Sequence, residues 1–170
     1  MSLLVRSWSK FSLDEMLPAV EKHLKHQPWY RLLRYFGITA ILAAFASGFF
    51  GRRVFFAMLP FGLLGIMLLK LDWFTKRTFR SQFKKLPYID SAISWTFTDD
   101  AFSSEGEGFQ ASLDWTKVHK LVDTTDGFLI YPQALLYYWV PFRGFADPSD
   151  IEAVRQVAMS KVKTYKRVRF

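Results

Sequence analysis

Two long apolar runs dominate the hydrophobic pattern of the chain. Residues 35–50 and residues 54–69 contain no charged side chain. As one helix, residues 35–69 would extend about 52 Å, whereas the hydrocarbon core of a bilayer is about 30 Å thick. A single span would also bury Arg52 and Arg53 near its centre, at about 2.5–3.5 kcal/mol each. The pattern therefore predicts two helices that reverse at a tip formed by Gly51, Arg52 and Arg53, where glycine allows a positive φ.

The flanks of the two runs favour a membrane hairpin over the alternative, a pair of buried helices in a soluble protein. No Asp or Glu lies between Glu21 and Asp72, so neither helix has the polar face that soluble helices normally show. Gly62 and Gly65 would allow the helices to approach closely. Aromatic residues typical of membrane interfaces precede or begin the first run and follow the second, namely Trp29, Tyr30, Tyr35, Trp73 and Phe74. We expect a transmembrane hairpin over residues 32–74.

Basic residues orient the predicted hairpin. The tip carries two arginines, and the flanks carry Lys22, Lys25, Arg31, Arg34, Lys70, Lys76, Arg77, Arg80, Lys84 and Lys85. The positive-inside rule therefore places both termini in the cytoplasm. The same clustering explains much of the net charge of +8, so we expect no nucleic-acid partner. The chain has no cysteine, which excludes disulfides and thiolate chemistry.

The segment before the hairpin, residues 1–31, predicts a short cytoplasmic strand and an amphipathic helix. Ser12 and Glu15 have the spacing of a capping box, and apolar residues follow at helical spacing. Pro18 removes one helical hydrogen bond, so the helix could start later, kink or break. His23 and His26 are three residues apart, but no third ligand is evident, so a solvated face is favoured over a metal site.

After the hairpin the apolar period changes from helical to two. Ile93, Trp95 and Phe97 alternate with polar residues, and further strands are predicted near residues 102, 109–115, 118–122 and 128–131. Residues 134–142 are apolar throughout and predict a buried strand. Asp147 and Pro148 begin a C-terminal helix. The order predicts an α+β cytoplasmic domain over residues 75–170, a small antiparallel barrel with a C-terminal helix. A domain of so few residues has only a small hydrophobic core. The N-terminal strand and helix could therefore pack onto this domain.

Four short segments carry a family resemblance. They are WTFTDDAF at 95–102, SLDWTKV at 112–118, DGFLIY at 126–131 and VPFRGF at 140–145, after a two-helix hairpin. In this order they resemble the YcxB-like family of bacterial membrane proteins, over residues 30–146, with Ala101 where the family typically has glycine. The resemblance implies a bacterial inner-membrane protein whose cytoplasmic domain is similar to a pleckstrin-homology (PH) barrel. It implies no catalytic residue and no settled activity.

Candidate chemistry in the soluble part is sparse. His119 and Asp123 would share a strand face but lie well apart along it, and Ser103 and Ser104 lack a nucleophile elbow. The acidic turns at residues 99–100 and 105–107 could hold a divalent cation, but such turns are usually just solvated. Trp95 and Trp115 could line a ligand site, although alternating aromatics are more often core. We therefore expect no catalytic residues, no metal and no cofactor.

Binding is the function that remains. Arg143 is a candidate contact for phospholipid or partner carboxylates, with a structural arginine as the alternative. The basic tail is the second candidate, through Lys161, Lys163, Lys166, Arg167 and Arg169, since each cation adds about 1 kcal/mol at an anionic surface. The sequence predicts a membrane-anchored, non-catalytic interaction module for a protein partner, anionic inner-leaflet lipid, or both. The alternatives are a membrane immunity protein that neutralises a toxin and an enzyme of unknown chemistry.

Overall fold

The computed structural model describes residues 3–86, 89–134 and 136–168 of an α+β chain. The chain divides into two compact units. Residues 20–85 form one, and the segments on either side of them, up to Ala19 and from Leu86, form the other. The boundaries predicted from the sequence lie after residues 31 and 74, whereas the compact units divide after residues 19 and 85.

The unit from Val20 to Lys85 is helical. Helix α1 (Leu13–His26) begins in the other unit and ends in this one, and it is followed by α2 (Pro28–Ala46), a 3₁₀ turn (Ser47–Phe50), α3 (Arg52–Leu69) and α4 (Leu71–Phe83). Pro28 begins α2, where its missing N–H costs nothing. Helix α1 continues through Pro18 and α3 through Pro60, so neither proline ends its helix. Gly51 reverses the chain with a φ of 109°, which confirms the expected turn.

Small residues set the packing of α2 against α3. A Cβ on Gly65 would lie 2.5 Å from the carbonyl oxygen of Gly37, and a Cβ on Gly62 would lie 2.9 Å from the Cβ of Ala44. Both distances are shorter than a real contact allows, so side chains larger than hydrogen would push the helices apart. The close approach expected at Gly62 and Gly65 is confirmed.

Two segments of this unit are long and apolar enough to cross a membrane. They are Pro28–Phe50, with 23 residues, and Arg52–Leu69, with 18. In the most apolar 18-residue window of each segment, only 17% of the first and 6% of the second is buried within the protein. A core helix of a soluble protein would bury most of such a surface, so the exposure favours an apolar environment around these helices.

The other unit contains two four-stranded sheets. The first is antiparallel throughout and has the order β1 (Leu4–Lys10), β2 (Ala92–Thr98), β3 (Ala101–Gly106), β4 (Phe109–Asp114). Strand β1 pairs with β2 from Leu4 opposite Thr98 to Lys10 opposite Ala92. The N-terminal strand thus belongs to the same sheet as the strands that follow the helical unit.

The second sheet has the order β7 (Tyr138–Pro141), β6 (Gly127–Tyr131), β5 (Lys120–Asp123), β8 (Tyr165–Arg167). Its strands are antiparallel except β8, which is parallel to β5. Helix α5 (Pro148–Lys161) connects β7 to β8. As predicted, α5 begins at Asp147, whose carboxylate accepts the Ser149 N–H at 2.7 Å, with Pro148 in its first turn.

The core of this unit is aromatic. Trp95, Phe97 and Trp115 are at most 2% exposed, and Phe97 stacks on Trp115 at 6.2 Å between ring centroids. The indole of Trp95 donates to Ser9 Oγ at 2.8 Å, and that of Trp115 donates to the Thr98 carbonyl at 2.9 Å. The two tryptophans are core residues, as the pattern favoured.

The sheets do not form the closed barrel that the sequence predicted. Within the described residues, a 3₁₀ turn (Trp115–Lys117) separates β4 from β5, and no ladder joins these strands. A single bridge between Ser7 and Phe145 links β1 to the chain after β7. The α+β class is confirmed, and the closed barrel is not.

One local prediction needs correction, and one strand was not predicted. The strand expected over residues 134–142 covers only Tyr138–Pro141, because the chain bends at residues 132–134 after Pro132 and leaves Leu136 52% exposed. Leu135 lies outside the described residues. Within the basic tail, Tyr165–Arg167 extends the second sheet as β8, a strand that the sequence pattern did not predict.

Candidate functional site

An apolar pocket of about 380 Å³ opens in the sheet-containing unit. Its walls include Ile93 and Trp95 on β2, Tyr138 and Trp139 on β7, and Phe109 at the start of β4. Met16 of α1 and the half-exposed Leu86 also line the pocket. Burial raises the pKa of Tyr137, which also lines the pocket, to about 12, so this phenol is uncharged at neutral pH.

Ser104 is the polar residue of interest in this pocket. It lies on β3 directly opposite Trp95 of β2, and only 1% of its surface is exposed. Its Oγ has no hydrogen-bond partner within the described structure. A buried hydroxyl without a partner costs about 1–3 kcal/mol. A ligand atom that accepts a hydrogen bond from Ser104 Oγ would remove this cost.

A basic edge forms where β8 joins β5. Lys166 pairs in register with Val122, and Lys120 begins β5. The pKa of Lys120 is lowered by burial and, secondly, by the charge of Lys166. The Lys120 ammonium also lies 4.7 Å from the ring centroid of Tyr131. This edge therefore concentrates positive charge that the protein itself only partly compensates.

The five predicted tail cations differ in their surroundings. Lys161 forms an ion pair with Asp100 at 2.7 Å, and Arg167 lies 3.5 Å from a carboxylate oxygen of Asp123. Lys163 and Lys166 are exposed. Arg169 lies outside the described residues. We call Lys120, Lys163 and Lys166 the basic edge. Sequence reasoning missed Lys120, because only the parallel pairing of β8 with β5 brings it beside Lys166.

Arg143 has its carboxylate partner within the same chain. Its guanidinium forms an ion pair with Glu15, whose side chain is only 5% exposed. The same Glu15 Oε1 accepts the backbone N–H of Lys10 at 3.1 Å, which differs from the reciprocal bond to Ser12 expected of a capping box. The arrangement ties the start of α1 to the segment after β7 and supports the structural interpretation of Arg143.

Asp123 is fully buried at the end of β5 and organises a polar cluster. Arg155 of α5 binds it through two hydrogen bonds, Nε to Oδ2 at 2.7 Å and Nη2 to Oδ1 at 3.2 Å. Tyr165 of β8 donates its hydroxyl to Oδ2 at 2.7 Å. The carboxylate beside it raises the pKa of Arg155, and burial together with the same carboxylate raises that of Tyr165. The cluster fastens α5 and β8 to the second sheet.

In the part of the chain that the structure describes, the side chains considered for catalysis or metal binding do not come together in one site. His119 is exposed and precedes β5, whereas Asp123 is engaged by Arg155. Asp99 accepts the Leu3 N–H at 2.9 Å, and Asp100 is paired with Lys161. Across the described ranges, no group of three or more His, Asp or Glu side chains could hold a metal ion. At the hairpin tip, Arg52 and Arg53 are exposed and begin α3.

Comparison with known proteins gives a match to a protein family. The family model described as YcxB-like protein matches residues 97–158, from the middle of β2 into α5. The resemblance stated from the sequence is confirmed over this segment. No curated protein and no solved structure matches the chain.

Proposed function

We propose that this protein is a non-catalytic interaction module anchored in the bacterial cytoplasmic membrane by a transmembrane helical hairpin. Its PH-like domain binds anionic lipid headgroups at the inner leaflet through the basic edge. The charge of the basic edge favours lipid over a protein partner, because Lys163 and Lys166 are exposed. A protein partner at this surface is an outcome that the tests below distinguish.

The observation that carries the membrane proposal is the exposure of the two long apolar segments, and the pairing of β1 with β2 restricts its topology. These strands are neighbours in one sheet, yet the whole helical unit lies between them in sequence. Strands can pair only if both lie on the same side of a membrane. The intervening segment must therefore cross an even number of times or not at all. Two apolar helices that reverse at Gly51 satisfy this condition.

The PH-like character rests on strand order. A four-stranded antiparallel meander is followed by three antiparallel strands and then by α5. Two sheets followed by a helix support a PH-like arrangement, although the sheets do not close into the barrel that the family resemblance implies. Fold alone does not specify function, so the ligand is argued from the surface charge.

The basic edge suits a membrane surface. Each cation near an anionic leaflet contributes about 1 kcal/mol, and the attraction falls off within a Debye length. The hairpin keeps the domain close to the bilayer, which raises the effective concentration of headgroups around it. Even weak contacts at Lys163 and Lys166 are then occupied for a large fraction of the time.

We expect a hairpin topology with both termini in the cytoplasm. Reporters fused before β1 and after Phe170 should both read as cytoplasmic, and a tag beside Gly51 should be labelled from outside. The ten basic flank residues against two at the tip motivate this orientation. The protein should also remain in the pellet after alkaline carbonate. Extraction by carbonate, or termini that read on opposite sides, would contradict the anchor.

We expect Lys163→Gln with Lys166→Gln to reduce the preference for anionic lipid by roughly twentyfold to thirtyfold, from about 1 kcal/mol per cation. The measurement is native mass spectrometry of the full chain in neutral detergent, titrated with phosphatidylglycerol and, separately, with phosphatidylcholine. The full chain is needed because residues 75–170 alone lack β1. Added salt should reduce the wild-type preference in the same direction.

The matched control is Lys10→Gln with Lys117→Gln. It removes the same charge from lysines already paired with Asp90 and Asp114 at 3.0 Å and 2.6 Å, so its effect should be small. Equal losses in the two variants would show a general charge effect and would exclude the basic edge as the lipid site. The Lys163/Lys166 variant could instead lose a protein that co-purifies with the wild type at a fixed ratio, with no change in lipid preference. That result would show that the basic edge binds a protein and not lipid.

A further inference from the structure

The apolar pocket shares none of its described lining residues with the basic edge. Its described walls are hydrophobic or aromatic, and its volume of about 380 Å³ lies within the range of roughly 300–1,000 Å³ usual for small-molecule sites. A single buried hydroxyl, Ser104 Oγ, lacks a partner there. Pockets with apolar walls and few placed polar groups are the usual form of a ligand site.

The composition of the walls restricts the chemistry of the ligand. A sugar or a nucleotide would leave many donors and acceptors unpaired against these walls, at a cost of several kcal/mol. Among the described residues, no Lys or Arg lines the pocket, so a phosphate or a carboxylate placed inside would be a buried charge without a counter-ion. The ligand must therefore be apolar along most of its length and carry an uncharged hydrogen-bonding atom.

We propose that this pocket binds one esterified fatty acyl chain, with the hydrocarbon against Trp95, Tyr138 and Trp139. The neutral ester carbonyl accepts a hydrogen bond from Ser104 Oγ. Leu86 and Phe109 are 43% and 36% exposed, so they mark the side from which a chain enters. The inference does not depend on lipid binding at Lys163 and Lys166.

The test uses a photoreactive monoacylglycerol with a diazirine in its chain, added to the full protein in a fluorinated surfactant. Mass spectrometry should locate adducts on residues 93–109 or 137–139. Unlabelled monoolein should compete, whereas oleate should compete at least tenfold more weakly, because its carboxylate is charged. Adducts confined to residues 28–69 would show adsorption to the apolar helices only and would overturn the proposal, and so would equal competition by oleate.

Ser104→Ala should weaken monoolein competition about threefold to tenfold, which corresponds to one hydrogen bond. The matched control is Ser103→Ala on the same strand, which should leave competition unchanged because Ser103 does not line the pocket. Without ligand, Ser104→Ala should unfold at the same or a higher temperature, since it removes an unsatisfied buried hydroxyl. Unchanged competition in Ser104→Ala would overturn the assigned hydrogen bond and with it the acyl-ester assignment.

These outcomes are distinguishable from failure of the proposed function. Loss of anionic preference in the Lys163/Lys166 variant concerns headgroup charge, and monoacylglycerol carries none. The pocket proposal fails if no adduct forms on its walls, whatever the lysine variants do. A protein bound through the pocket would give no adduct, while Ser104→Ala would weaken capture of that protein.

Discussion

Replacing Asp123 with alanine should destabilise the sheet-containing unit by about 3–5 kcal/mol, the usual cost of breaking a buried ion pair from one side. The carboxylate is fully buried and holds Arg155 through two hydrogen bonds. Its removal would leave a guanidinium that is itself only 9% exposed without its main partner. It would also remove the acceptor for the Tyr165 hydroxyl.

The loss should be expressed first in the C-terminal elements. Arg155 belongs to α5 and Tyr165 to β8, so both elements lose their polar attachment to β5. Thermal unfolding of the full chain, followed by the fluorescence of the buried Trp95, Trp115 and Trp139, should shift down by more than about 10 °C. Asp123→Asn keeps hydrogen-bonding atoms but not the charge, and its shift should be intermediate.

The matched control is Asp100→Ala, which also removes a carboxylate from a basic partner. The Lys161–Asp100 pair is exposed, with Asp100 at 91%, and exposed pairs contribute about 0–1 kcal/mol. If Asp123→Ala and Asp100→Ala shifted the transition equally, Asp123 would not be the attachment of α5 and β8.

Local features of this fold could be predicted from sequence because each depends on a few neighbouring residues. Gly51 is the residue at which a tight reversal needs a positive φ, and the structure gives it one. Asp147 and Pro148 specify the start of α5 through capping and a fixed φ. The alternation of Trp95 and Phe97 with polar residues identifies β2 and its buried face.

Features that depend on distant pairing could not be predicted with the same certainty. Strand β8 is short and basic, and nothing local indicates that it pairs in parallel with β5. Lys120 becomes part of a basic edge only through that pairing. The sequence identifies Ser104 only as a serine without a nucleophile elbow, whereas the fold makes it a buried, unpartnered hydroxyl within a pocket. The sequence does not specify the pairing of β1, because the hairpin separates it from its partner by more than eighty residues.

Gly144 provides the sharpest test of the packing of β1 onto the rest of its unit. A Cβ at this position would lie 1.7 Å from the carbonyl oxygen of Trp8 on β1. The obstacle is backbone, which cannot rotate away as a side chain can. Gly144→Ala should therefore displace β1 and cost at least the roughly 1–3 kcal/mol typical of overpacking.

The measurement for Gly144→Ala is limited trypsin digestion of the full chain in detergent. Arg6 and Lys10 lie on β1, and cleavage there should be much faster in the variant once β1 leaves β2. The matched control is Gly48→Ala, where the new Cβ would meet only a Phe55 side-chain atom at an ordinary 3.7 Å. Its cleavage at Arg6 and Lys10 should match the wild type. Equal protection of β1 in Gly144→Ala would contradict the packing of β1 beside Gly144, and would weaken the argument that pairing across the hairpin requires both termini on one side of the membrane.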